Sequence, residues 1–132
     1  MSSSSLLKIA DGQPAPAAID EEHLGRMTLG DPGLEREVLQ IFARQTSLVL
    51  RRVTGASPEI AAAAAHTLKG SAGGIGAWRV AEAAERLEQA AGRGSDEILR
   101  AAKAELEAAS LEACAAIAVR LGQDFAPDLL HR

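Results

Sequence analysis

The chain has 132 residues, 47% of them hydrophobic and only 2% aromatic, with a net charge of −4 and a pI near 5.4. This suits one domain with a core of its own and excludes a disordered tail. With no Lys/Arg-rich block and few aromatic rings, the electrostatic and stacking footprint of a nucleic-acid binder is missing, and no nucleic-acid partner is expected.

The dominance of Ala and Leu favours helices packed through small side chains. The single cysteine, Cys114, allows no internal disulfide, and its apolar neighbours Ala113, Ala115, Ala116 and Ile117 predict a packing role. No apolar run approaches the roughly 20 residues needed to span a bilayer. The serines after Met1 do not form a signal peptide. A cytoplasmic location without membrane association is expected.

Residues 1–18, with four serines and two prolines, read as a flexible leader. A short helix is predicted from Asp20 to about Thr28, with acidic residues at its positive end. Asp31-Pro32 marks the start of a second helix reaching about Val53, with Leu34, Val38, Ile41, Phe42, Leu48 and Val49 as its apolar positions. Gly55 ends it, and Ser57-Pro58 caps a third helix running to about Gly74. Gly76 separates this from a fourth helix, about Ala77 to Ala91, with Val80, Ala84, Leu87 and Ala91 in one stripe. Gly92 and Gly94 precede Ser95-Asp96-Glu97, which opens a last long helix with Leu99, Ala102, Leu106, Ala109, Ala113 and Ile117 inward. Gly122 and Pro127 end it.

Four long helices joined by short turns predict an all-α, antiparallel up-down four-helix bundle over residues 19–122, with a short additional N-terminal helix. Residues 123–132 form a C-terminal tail. With no second heptad stripe apparent, a monomer is expected.

The segment Ala65-His66-Thr67-Leu68-Lys69-Gly70-Ser71-Ala72-Gly73-Gly74-Ile75-Gly76-Ala77 carries the chemistry. At about 100° per residue, Ala64, Leu68 and Ile75 share the core side, and His66 lies about 160–200° from each. It therefore points to solvent. Glu59, Ala62, Ala63, Lys69, Gly70 and Gly73 fall within about 60° of it. Each exposed glycine costs roughly 1 kcal/mol against alanine in a helix, so small residues around the ring are explained by access for a large partner. A neutral imidazole is a good nucleophile, and phosphoryl transfer needs positioning and positive charge above all. Lys69 supplies that charge from the same face.

The run His66-Thr67-Leu68-Lys69-Gly70-Ser71-Ala72, followed by Gly76-Ala77 and Leu87-Glu88, resembles the signature of histidine-containing phosphotransfer (HPt) domains. Leu39-Gln40-Ile41-Phe42 also matches an upstream family stretch. The resemblance covers about Ile19 to Gly122. It implies a phosphorelay protein that carries a phosphoryl group on His66, through Nε2, to and from aspartates of receiver domains. Those receivers, in response regulators or hybrid histidine kinases, hold the Mg²⁺. Lys69 would steady the phosphoryl group, Gly70 would leave room for the partner, and Glu88 would accept a hydrogen bond from Nδ1–H and fix the tautomer. Ala62, Ala63 and Gly73 would line the partner-binding face. Such a carrier has no turnover of its own and is not an enzyme; no cofactor is expected. Gly73-Gly74 departs from the pattern in its glycine content and is expected to loosen the end of the third helix.

The glycine-rich run lacks the Gly-Lys-Ser/Thr ending and preceding strand of a nucleotide-binding loop. The three histidines, far apart in sequence, offer no ligand-spaced pair, so no metal is expected. A non-phosphorylated helical adaptor that binds a receiver or kinase is the main alternative. A sensor-kinase dimerisation domain fits less well, since Thr67 stands where that class has an acidic residue.

Overall fold

A computed structural model of the chain describes residues 17–122. The expected leader up to Pro16 and the tail from Gln123 lie outside the described residues. Five helices make up the fold: α1 (Glu21–Met27), α2 (Pro32–Val53), α3 (Pro58–Ile75), α4 (Trp78–Ala91) and α5 (Asp96–Arg120). There is no strand among the described residues.

Local chemistry sets each start. The side chains of Asp20, Asp31, Ser57 and Ser95 accept backbone N–H groups in the first turns of α1, α2, α3 and α5, satisfying donors that no intrahelical carbonyl reaches. Pro32 and Pro58 occupy first positions, where a missing N–H costs nothing. Short turns reverse the chain after α2, α3 and α4, so α2 to α5 form the expected antiparallel bundle, with α2 packing on α3, α3 on α4, α4 on α5, and α5 closing on α2. The short α1 packs against α3.

The core is continuous through all four long helices. Leu39, Phe42, Leu50 and Val53 from α2 meet Leu68, Ala72 and Ile75 from α3, Val80, Ala84 and Leu87 from α4, and Leu99, Leu106, Ala113 and Ile117 from α5. The α2 reading needs correction: Leu34, Ile41 and Leu48 face solvent, and Thr46 and Ser47 are inside. The Thr46 hydroxyl donates to the Phe42 carbonyl at 2.7 Å, which makes its burial tolerable. The α4 stripe turns by a residue at its end, burying Ala90 and leaving Ala91 half-buried. On α5, Ala109 is half-buried and its neighbour Ser110 is buried. Cys114 is half-buried and in no disulfide.

The α3–α4 turn is the joint of the fold. Helix α3 continues through Gly73 and Gly74 to Ile75 and ends on Gly76 in the left-handed conformation, φ 82°. The Gly76 carbonyl accepts the Asp20 N–H at 2.9 Å, and an added Cβ at Gly76 would stand 2.9 Å from the Asp20 Cβ and 3.0 Å from its backbone oxygen. Asp20 also accepts from His23 N–H at 3.1 Å and from Trp78 Nε1–H at 2.9 Å. The Trp78 bond, chiefly, holds its carboxyl below the usual range. The His23 and Trp78 rings lie 4.8 Å apart. One short acidic side chain thus caps α1 and ties it to the start of α4.

Gly76 and Gly74 are predicted to respond oppositely to alanine. Gly76→Ala forces both a left-handed alanine and a backbone collision, and should lower unfolding stability by at least about 2 kcal/mol. Gly74 is helical with nothing within 4 Å of an added Cβ, so Gly74→Ala should raise stability by about 0.5 kcal/mol. Urea unfolding of the two variants beside wild type checks both signs.

Candidate functional site

His66 lies in the middle of α3, opposite the buried line of Ala61, Ala64, Ala65, Leu68 and Ala72. Its side chain is 70% exposed. Burial of that line fixes the helix rotation, and rotation presents the imidazole to solvent.

The neighbouring helix supplies the partner. Helix α4 buries Val80, Ala83, Ala84 and Leu87, which turns Glu88 to the edge of the α3–α4 contact. There Glu88 Oε2 lies 2.8 Å from His66 Nδ1 and Oε1 lies 2.9 Å from Lys69 Nζ. One carboxylate therefore grips both functional groups of α3. The hydrogen bond from the Lys69 ammonium is the main reason the Glu88 carboxyl sits below its usual range; partial burial opposes it and the His66 contact reinforces it. The same bond raises Lys69. An ionised carboxylate has no proton to give, so Nδ1–H donates to Glu88. In the neutral ring this leaves the Nε2 lone pair as the nucleophilic position.

The small residues fall around this centre in a graded way. Gly70 is exposed, and a Cβ built there meets nothing within 4 Å. Ala63 is exposed and Ala62 half-buried. Gly73 is half-buried: a Cβ there would come within 3.9 Å of Trp78 Cζ3, so the Trp78 ring borders this face. Trp78 remains 42% exposed.

His66, Lys69, Gly70 and Glu88 thus come together, and Gly73 shares its end of the face with an aromatic ring. The Lys69–Glu88 ion pair was not anticipated; the i+19 separation becomes a contact only through the α3–α4 hairpin. Other cross-helix ion pairs, Arg79 with Glu112 and Arg86 with Glu105, lie on the α4–α5 side. A groove lined by Leu50, Val53, Lys103 and Glu107, among others, sits where α2 passes into α3 and does not include His66. Among the described residues no group of three or more His, Cys, Asp or Glu is placed to hold a metal ion, and no helix is long and apolar enough to cross a membrane.

The lowered Glu88 carboxyl predicts a direction with pH. A group whose carboxyl is depressed in the folded state stabilises the fold above its ordinary pKa and loses that contribution as pH falls through the folded value. The Glu88 bridge should therefore persist below pH 4.5, the ordinary value, and come apart only further into acid. A carbon-13 titration of the Glu88 carboxyl should show a midpoint below 4.5, moving back up in Lys69→Ala. An unchanged midpoint in that variant would mean the ammonium is not the cause.

A sequence model described as the Hpt domain matches residues 36–121 of the chain. No curated protein and no solved structure matches it.

Proposed function

Since the chain belongs to the Hpt domain family, whose members are phosphocarrier modules of histidine phosphorelays, we propose that it carries a phosphoryl group on His66 Nε2, to and from the aspartates of receiver domains. The observation that carries this reading is an exposed imidazole whose other nitrogen is held by Glu88, with the Lys69 ammonium on the same carboxylate.

In this reading the Nε2 lone pair attacks the phosphorus of a receiver's aspartyl phosphate. The P–N bond forms as the P–O bond breaks, and the aspartate leaves as a carboxylate. The ring acquires positive charge, which the Glu88 carboxylate faces at 2.8 Å. The same bond holds the ring in one orientation before attack. Lys69 offsets charge on the equatorial phosphoryl oxygens by swinging from Glu88 toward them; its side chain, 34% exposed, has room to do so. The return transfer reverses each step. Gly70, Ala62, Ala63 and Gly73 keep the approach low enough for a folded receiver to bring its aspartate to the ring. The protein supplies half of a shared site and has no turnover alone. It acts as a cytoplasmic component that needs no cofactor of its own.

Radiolabelled transfer from a panel of phosphorylated receivers tests the assignment. Label stable to alkali and labile to acid should appear on wild type and be absent from His66→Gln. A folded wild type that takes no label from any receiver would refute the carrier role and favour the adaptor. Lys69→Ala should slow transfer about tenfold or more without loss of helicity, the size of one charge-assisted contact in the transition state.

Gly70→Gln separates access from stability. A Cβ at Gly70 meets nothing within 4 Å, the position is exposed, and helix propensity favours Gln by up to about 1 kcal/mol. The variant should melt no lower than wild type yet transfer more slowly. Unchanged kinetics would remove the argument from access.

A further inference from the structure

Helix α2 has a second apolar line that the bundle does not use. Leu34, Ile41 and Leu48 recur every seven residues, a step that drifts only about 20° around a helix, and they are 40%, 48% and 58% exposed. The line is about 21 Å long. Exposed Glu37, Arg44 and Arg51 flank it on one side, and half-buried Val38 and Gln45 with exposed Arg52 on the other. This stripe removes the ground for expecting a monomer.

Charge along the same face is segregated. Its first half carries Asp31 and Glu37; its second carries Arg44, Arg51 and Arg52. Asp31 caps its own helix, and Glu37, Arg44, Arg51 and Arg52 form no ion pair among the described residues. The remaining charges of the first half are already engaged: Glu35 pairs with Arg120, and Arg36 donates to the Leu121 carbonyl.

We infer that this face pairs with α2 of a second copy, antiparallel, about a two-fold axis at Ile41. In that register Ile41 meets its symmetry mate and Leu34 meets Leu48 of the other copy. Glu37 comes beside Arg44, and Asp31 beside Arg52. A parallel pairing would set Arg51 beside Arg52 of the other copy and leave Glu37 with no arginine opposite it, so charge selects the antiparallel arrangement. The surface is isologous, as a closed dimer requires. Two such faces bury on the order of 1,000 Å², the low end for specific association, so the dimer is weak, with a Kd of about 10–100 μM. Helix α2 packs on α3 and α5, whereas His66 shares the α3–α4 edge with Glu88. Pairing through α2 leaves both copies of His66 open.

Sedimentation equilibrium from about 5 to about 500 μM, bracketing that Kd, decides the matter. The weight-average mass of wild type should rise from 13.7 kDa toward twice that value, while Ile41→Glu, folded by circular dichroism, stays monomeric. Arg44→Glu, remote from the core, should weaken association about tenfold, and Glu37→Arg added to it should restore it. A wild type that remains monomeric to 500 μM overturns the inference. Association of Ile41→Glu and Arg44→Glu at wild-type strength overturns it equally. Phosphoryl transfer at His66 is a separate readout that none of these variants should alter.

Discussion

The packing of α3 on α4 is the constraint from which the site follows. Small side chains are buried on both helices: Ala61, Ala65 and Ala72 on α3 and Ala84 on α4. Side chains this small leave little slack in a close-packed contact. The turn at Gly76 and Ala77 then fixes how the two helices are offset along their axes. Rotation set by alanine burial and offset set by a two-residue turn together determine that position 88 falls opposite positions 66 and 69. Glu88 is carried to its partners by the backbone, and a one-residue slip in the turn would carry it away.

This arrangement divides labour between strong and weak interactions. The apolar core holds the helices. The exposed ion pairs that cross between them contribute little to stability, as surface pairs generally do. The Glu88 bridge belongs to that weak class, and its chemical value lies in the tautomer it selects and the ammonium it holds nearby. A group held weakly is also a group that can let go, which is what Lys69 must do to meet an incoming phosphoryl group in the proposed transfer.

Much of this is legible in the sequence. Helix starts were readable because a cap is a local event: Asp31-Pro32 and Ser57-Pro58 act within one turn of themselves. The exposure of His66 was readable because Leu68 and Ile75 fixed the inward direction of α3. The inward face of α2 was misread because apolarity alone ranked Leu34, Ile41 and Leu48 above Thr46 and Ser47. A threonine that returns its hydroxyl to its own helix is apolar enough to bury, and hydropathy does not record that. The Asp20–Trp78 bond spans 58 residues and the Lys69–Glu88 pair depends on interhelical offset; neither leaves a trace in local pattern. Asp20 looked like an ordinary helix-start residue, and it is one, but it also fastens α1 to the turn that positions the site.

The openness of His66 has a consequence for time. With 70% of its side chain in solvent, the ring is enclosed by none of the described residues. A phosphoryl group placed there would have water at its surface throughout its stay. Its lifetime would then be governed mainly by the intrinsic hydrolysis of the phosphorus–nitrogen bond, with little shelter from the fold. In the proposed role, such a protein would store no long memory of a signal: what it received it would pass on within the clock set by its own chemistry.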